Sequence, residues 1–385
     1  MPLVCAYKAQ NGRGYCATDC PAQAPCGVFE TVRVERPDEL PPPHERAIDV
    51  AVLDMNHGWP NLGHDSLVHA VQDACCEAIA ALEAAQLRVR VISYDVRRSG
   101  MLPEAPGGRH ALYLGTGGPG HIDPQANDGL AAFSQGIREN PAWEAPAFAL
   151  FDAIRDHDEA ALLAVCHTFG VLCRWSGAAR PALRGREKGK CAGILENVLS
   201  VRAREHPWFA AFAALLGEVP RLRVLENRLF DLIPDLERWP SSAVEIGRET
   251  LGVGGPPGEA VTMIEFARDA GGVVPRVFAV NHHPEIVDRS RQLMILDQKR
   301  ARGDVSEAWY RERLETLTRT LPGEDVDQQL HLTSDFTLLG PLRFHLFRQI
   351  RRRAQALSAP AGLHEDAVVA GLLGGPVGTA AAGVP

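Results

Sequence analysis

The sequence predicts an α/β fold built on a doubly wound, mostly parallel sheet, with a helical C-terminal extension. Short apolar segments alternate with segments of helical length between about residues 47 and 290, which is the order of parallel strands joined by crossover helices. Three of the apolar segments end in glycines or in reactive polar residues. Because ligands of parallel sheets bind at the carboxyl ends of the strands, these three ends are the candidate site.

The predicted elements follow in chain order from their composition. β-branched and apolar segments of five to eight residues indicate buried strands; Ala- and Leu-rich segments of greater length indicate helices. Strands are predicted at 48–54, 87–94, 111–114, 160–165 and 276–280, and helices at 66–87 and 145–156. Changes in composition divide the chain into four regions. These are a Cys- and Pro-rich leader and linker (1–46), the α/β domain (47–290), the helical extension (291–357) and a flexible Ala/Gly/Pro tail (358–385).

The extension contains a strongly basic helix at residues 343–353, in which five arginines alternate with apolar residues. Such a helix could dock on a membrane surface or on a partner protein. We favour a helix that packs on the body of the protein with a solvated basic face, since most runs of charge have that role.

Composition and charge exclude several classes of function. The chain has 385 residues, of which 45% are hydrophobic and 23% charged, enough for a sizeable core. A formal net charge of −8 at pH 7 is unsuited to neutralising phosphates, so we expect no nucleic-acid binding. The sequence has no apolar run of membrane-spanning length and no signal-peptide core. We therefore expect a cytoplasmic protein without a membrane span.

The nine cysteines do not indicate a disulfide framework, because their number is odd and no secretion signal precedes them. Four of them form the spacing C-x10-C-x3-C-x5-C near the N-terminus, at Cys5, Cys16, Cys20 and Cys26. This spacing lacks the paired short intervals of zinc sites. We predict no metal and no cofactor, and the sequence leaves open whether these four cysteines bind a metal.

The first strand end that carries chemistry reads Gly115-Thr-Gly-Gly-Pro-Gly120. Glycines directly after a strand allow close backbone approach and leave N–H groups free to face a developing negative charge. Gly117 and Gly118 are therefore candidate oxyanion and substrate-binding residues.

The second strand end is Ala164-Val-Cys-His-Thr-Phe-Gly170. A cysteine between a strand and a helix is typical of a nucleophile elbow, where the N–H of the following residue can stabilise an oxyanion. Cys166 is the candidate nucleophile and His167 the candidate N–H donor. A buried structural cysteine is the competing interpretation.

The third strand end is His283-Pro-Glu285. Residues two positions apart in an extended segment point the same way, so Glu285 can orient the imidazole of His283 and stabilise its protonated form. His282 then faces the opposite side.

In this order, the three motifs resemble those of the class I glutamine amidotransferase family over roughly residues 47–290. The resemblance implies a flavodoxin-like sheet and a Cys166–His283–Glu285 catalytic triad. It also implies an oxyanion hole near Gly118 and His167. It further implies hydrolysis of the glutamine side-chain amide through a Cys thioester, with release of ammonia.

The sequence departs from the family's Gly-x-Cys-x-Gly-x-Gln pattern at Ala164, Thr168 and Gly170. Thr168 is larger than the glycine it replaces and could crowd the turn, and the missing Gln normally helps to hold glutamine. A hydrolase or acyl transferase acting on another amide, a γ-glutamyl group or an ester is therefore an alternative, as is an inactive binding relic. The small-molecule substrate is glutamine by default, and an ammonia-accepting synthetase partner is expected because no synthetase domain is apparent.

Overall fold

The computed structural model describes residues 27–184, 190–320 and 328–357. The four N-terminal cysteines and the predicted tail at 358–385 lie outside these ranges.

Twelve strands are present in the described residues, and ten of them form one sheet in the order β1-β3-β2-β4-β5-β12-β11-β10-β7-β8. The remaining two, β6 and β9, pair separately. The strands are β1 (Phe29–Val34), β2 (Ala47–Asp54), β3 (Arg88–Asp95), β4 (His110–Gly115), β5 (Ala161–Val165), β6 (Ala179–Leu183), β7 (Cys191–Leu199), β8 (Arg221–Arg228), β9 (Phe230–Pro234), β10 (Val244–Thr250), β11 (Pro257–Arg268) and β12 (Pro275–Val280).

Eleven α-helices occupy the faces and the C-terminal region of the described chain. They are α1 (Leu62–Glu77), α2 (Ile79–Ala85), α3 (Val96–Ser99), α4 (Glu144–Asp156), α5 (His167–Ser176), α6 (Val201–Glu205), α7 (Phe209–Leu216), α8 (Arg289–Arg302), α9 (Glu307–Thr320), α10 (Gln328–Ser334) and α11 (Gly340–Ala356). A π-helical segment, Asp335–Leu339, joins α10 to α11.

The strand order confirms the predicted fold class. The pairs from β1 to β12 are parallel, and those from β12 to β8 are antiparallel. When β2, β3, β4, β5 and β12 are numbered 1 to 5 along the chain, their order across the sheet is 2-1-3-4-5. This is the flavodoxin-like order. The chain reverses its direction of winding between β2 and β4, so a crevice is expected beside the ends of these strands.

The sheet is buried on both faces because alternate residues of its strands enter two separate cores. In β2, Val50 and Val52 pack with α1 and α11 in one core, whereas Ala51 and Leu53 pack with α4 and α5 in the other. The side-chain period of two along a strand produces this division. It also explains why β5 is a continuous apolar segment in the sequence and why β2, β4 and β12 are mainly apolar.

Strand β1 corrects the prediction that all of residues 1–46 are leader and linker. Phe29–Val34 form a parallel edge strand beside β3, with its two end residues buried and its middle residues partly or fully exposed. A single short segment of mixed polarity carries too little periodic signal to be assigned as a strand, and its pairing with β3 stabilises it.

The C-terminal helices pack on the sheet, as we favoured, but the basic face of α11 is only partly solvated. Leu342, Leu346 and Ile350 of α11 are fully buried in the core that contains α1. Arg348 is also buried and donates to the Glu159 carbonyl at 2.9 Å, whereas Arg352 remains about half exposed. Among the described residues, no helix combines the length and apolarity needed to cross a membrane.

Candidate active site

Cys166 occupies a sharp turn between β5 and α5. Its backbone has φ 50° and ψ −102°, a strained conformation for a residue other than glycine. The Cys166 N–H donates to the Val280 carbonyl of β12 at 2.8 Å, and the Gly170 N–H donates to the Cys166 carbonyl at 3.1 Å. These bonds hold the turn while the residue stays partly exposed. The thiol is therefore presented at the carboxyl end of the parallel sheet.

Thr168 fits this turn because Gly115 leaves room for it. A Cβ atom on Gly115 would lie only 2.4 Å from Thr168 Cγ2, and the Thr168 hydroxyl donates to the Thr116 carbonyl at 2.7 Å. The crowding expected from a threonine at this position is thus relieved by the glycine that ends β4.

The sulfur of Cys166 and the ring of His283 border the same space beside Gly117. A Cβ atom on Gly117 would lie 3.8 Å from Cys166 Sγ and 3.0 Å from His283 Cε1. At Gly118 a Cβ would lie 2.2 Å from the Met55 carbonyl oxygen. Gly118 therefore requires glycine on steric grounds, and a side chain at Gly117 would press on His283. The residues of the first and third sequence motifs lie beside those of the second.

Glu285 orients the imidazole of His283. Nδ1 of His283 lies 2.8 Å from Glu285 Oε1, so the ring donates through Nδ1, and its other polar side-chain contact is with Cys166. Burial disfavours a charged ring, but the charges of Glu285 and the Cys166 thiolate outweigh it and raise the pKa of His283 well above its usual value. The imidazole is thus suited to holding a proton beside a thiolate.

The carboxylate of Glu285 is itself packed against the first turn of α1. A Cβ atom on Gly63 would lie 2.7 Å from Glu285 Oε1, and the Glu285 side chain is fully buried. N–H groups of a first helical turn have no acceptor within the helix and favour a nearby negative charge. Asn61 caps the helix by accepting the Gly63 N–H at 2.6 Å.

We expect Gly63→Ala to impair the site without unfolding the protein. The added methyl group would displace Glu285, lower the pKa of His283 towards that of an ordinary histidine, and slow alkylation of Cys166 by iodoacetamide about 10- to 100-fold at neutral pH. Gly27→Ala is the control, since nothing lies within 4 Å of a Cβ at that position. Equal alkylation rates in both variants and the wild type would contradict a positioning role for Gly63.

The two other histidines of the motifs remain neutral. Burial, followed by the charges of Arg97 and His121, holds the pKa of His167 well below its usual value. Its side chain contacts the backbone of Gly118, and its own N–H belongs to the unpaired first turn of α5. Burial, followed by the charge of His283, lowers the pKa of His282 to about 3.

His282 faces the C-terminal helices, where its Nε2 lies 3.3 Å from the Thr337 hydroxyl. Close by, the Ser334 hydroxyl donates to the carbonyl of Pro284 at 2.6 Å. Sequence analysis missed this support of the His-Pro-Glu segment. No local pattern could have revealed it, because the partners are about 50 positions apart.

The loop that carries Gly118 is held by a buried ion pair that sequence analysis also missed. Arg97 and Glu139 are fully buried and form two hydrogen bonds of 2.7 Å. Arg97 Nη1 also donates to the carbonyls of Met55 at 2.9 Å and of Pro119 at 2.7 Å. This arginine therefore ties the end of β2 to the glycine loop after β4.

Gly170, at the position where the family has glutamine, faces an apolar side chain. A Cβ atom on Gly170 would lie 2.6 Å from Ile122 Cδ1, and Ile122 is buried. The segment after Gly120 thus fills the space that a longer side chain at position 170 would need.

Among the described residues, no group of three or more His, Cys, Asp or Glu side chains is arranged to hold a metal ion.

Comparisons with solved structures return similar folds at low identity. A glutamine amidotransferase from Thermotoga maritima aligns with a TM-score of 0.43 and 16% identity over 80% of this chain and 99% of its own. One from Methylobacillus flagellatus aligns with a TM-score of 0.38 and 12% identity, over 83% and 98%. A putative GMP synthase component from Thermoplasma acidophilum gives 0.35 and 13%, over 66% and 98%. No family model and no curated protein matches the sequence.

Proposed function

We propose that the protein is a class I amidotransferase-like enzyme that hydrolyses the side-chain amide of glutamine through a thioester on Cys166. The observation that carries this proposal is the convergence of a strained, partly exposed cysteine and a carboxylate-backed histidine on Gly117. A nucleophile, a base and an orienting group in this relation are the elements of covalent acyl transfer.

In the proposed first step, His283 Nε2 takes the proton of the Cys166 thiol and the sulfur attacks the amide carbon. The N–H groups at Gly118 and His167 stabilise the oxyanion. His283 then gives its proton to the leaving nitrogen, so that ammonia departs and a glutamyl thioester remains. Water, deprotonated by His283, then attacks the thioester carbon, the C–S bond breaks to release glutamate, and the proton on His283 returns to the sulfur. An ammonia-accepting synthetase would be the partner that uses the product.

Ammonia and glutamate release from glutamine by the purified wild type and by Cys166→Ala tests the proposal. We expect the substitution to lower release by about 10⁴-fold or more, to the background rate, because the covalent route is lost. Cys191→Ala is the matched control. Burial, followed by the charge of Glu226, raises the pKa of the Cys191 thiol to about 11, so this thiol is unreactive at neutral pH and its removal should leave release unchanged. Equal release by the wild type and Cys166→Ala would contradict glutaminase activity.

The contact between Gly170 and Ile122 favours a second candidate, in which the same three side chains act on another amide, γ-glutamyl group or ester. An apolar side chain occupies the place of the family's glutamine and cannot hydrogen-bond a polar substrate group. Rapid labelling of Cys166 by iodoacetamide without glutamine turnover would favour this candidate. Labelling of Cys166 no faster than of Cys191 would favour an inactive fold.

A further inference from the structure

We infer that the buried hydroxyl of Thr116 is the positioning element of the oxyanion site. It fixes the peptide between Gly117 and Gly118 so that the Gly118 N–H faces the space beside Cys166. This inference rests on the proposed function and deepens it, because it assigns a positioning residue to the oxyanion hole of that function.

The Thr116 hydroxyl is engaged on both sides. It donates to the Gly117 carbonyl at 2.8 Å and accepts the Met55 N–H at 2.9 Å, and Thr116 is fully buried. A hydroxyl carries a single proton. Because Met55 approaches as a donor, that proton is available for the Gly117 carbonyl, and the end of β2 sets the direction of the hydroxyl.

The Gly117 carbonyl and the Gly118 N–H belong to the same peptide unit. A trans peptide is planar and directs these two groups to opposite sides, so a carbonyl held by Thr116 turns the N–H away from Thr116. Within the described residues this N–H has no acceptor. A Cβ atom on Gly117 would lie 3.8 Å from Cys166 Sγ, so the unpaired donor is on a peptide beside the nucleophile. An oxyanion formed there requires such a donor.

The N–H groups that follow in the loop are occupied by side chains of the next segment. The N–H of Gly120 donates to Gln135 Oε1 at 2.8 Å. The N–H of His121 donates to Asn127 Oδ1 at 2.7 Å, and the residue before Gly120 is a proline, which has no N–H. Gly118 is therefore the last residue of the glycine loop whose N–H is available to a substrate.

The backbone of Thr116 also connects this peptide to the nucleophile turn. Its N–H donates to the Leu53 carbonyl at 3.1 Å, and its carbonyl accepts the Thr168 hydroxyl at 2.7 Å. Thr168 lies in the first turn of α5, two residues after Cys166. The peptide that carries the donor and the turn that carries the sulfur thus share one support.

Two reagents that attack the same sulfur through different transition states test the inference. With p-nitrophenyl acetate the thiolate attacks the carbonyl carbon, the carbonyl π pair moves to oxygen, and p-nitrophenolate then leaves. With iodoacetamide the sulfur displaces iodide from a saturated carbon and no oxyanion forms. The ratio of the two rate constants at Cys166, after subtraction of the rates of Cys166→Ala, cancels the fraction of thiolate and reports the stabilisation of the oxyanion.

We expect the wild-type ratio to exceed that of glutathione and to fall about 10- to 100-fold in Thr116→Val, because the freed peptide turns its donor away for part of the time. Thr116→Ser keeps the hydroxyl and should keep the ratio. The matched control is Thr262→Val, since Thr262 is equally buried and its hydroxyl has no partner in the part of the chain that the structure describes. Its ratio should stay at the wild-type value.

A raised wild-type ratio that is unchanged in Thr116→Val would overturn the inference. If circular dichroism shows that Thr116→Val does not fold, Thr116→Ala removes the same hydroxyl and leaves space for a water at the Met55 N–H, and an unchanged ratio in that variant would be equally contrary. Failure of the proposed function is recognised separately. A raised ratio without glutamate release from glutamine would contradict glutaminase activity alone, whereas a wild-type ratio no higher than that of glutathione would contradict the oxyanion site and the inference together.

Discussion

Replacing His283 with alanine should lower hydrolysis by about 10² to 10⁴-fold, the usual contribution of a positioned acid–base group. The substitution should also change the pH dependence of alkylation at Cys166. In the wild type the raised pKa of His283 means that the imidazolium persists as pH rises past about 6.5, the ordinary value for histidine. The imidazolium therefore remains beside the Cys166 sulfur throughout that range, and iodoacetamide should alkylate the wild type faster than a variant that lacks the ring.

In His283→Ala no imidazolium stabilises the thiolate. The alkylation rate at neutral pH should then fall below that of the wild type, and the difference should narrow at high pH, where the wild-type ring loses its proton. His282→Gln is the matched control, because His282 is neutral, with a pKa of about 3, and faces Thr337 rather than the site. It should retain the wild-type profile. Equal alkylation rates in His283→Ala and the wild type at every pH would refute the pairing of this ring with Cys166.

Replacing Arg97 with methionine should lower the free energy of unfolding by about 3–5 kcal/mol, because it leaves the buried charge of Glu139 without its partner. Asn127 and Trp143 would still donate to Glu139, at 2.7 Å and 2.9 Å, but neither supplies a positive charge. Urea unfolding measures the loss. The double substitution Arg97→Met with Glu139→Gln should recover part of it, since the unpaired charge is then removed.

The exposed pair of Arg319 with Glu315 provides the comparison for Arg97. Both side chains are more than 70% exposed and lie 3.9 Å apart, so Arg319→Met should cost no more than about 1 kcal/mol. A loss for Arg97→Met as small as that for Arg319→Met would show that the buried pair does not hold the Gly118 loop.

Much of the fold was predictable because the central strands are buried on both faces. Segments such as Ala161–Val165 are continuous apolar runs, which local composition is sufficient to identify. The antiparallel strands β6 to β11 and the edge strand β1 were missed. Their sequences mix polar and apolar residues, as in Phe29–Val34, and only pairing with neighbouring strands decides that they are extended.

The residues of the candidate site were likewise predictable from the sequence only in part. The sequence by itself determined which residue types end the parallel strands, and hence the candidates Gly117, Cys166 and His283, because a parallel sheet brings its strand ends to one edge whatever the rest of the chain does. Only the tertiary structure decided that Glu285 meets the first turn of α1 and that Ser334 of α10 supports the His-Pro-Glu segment. Those contacts depend on how helices from distant parts of the chain pack, and steric fit and charge between remote residues leave no local pattern in a sequence.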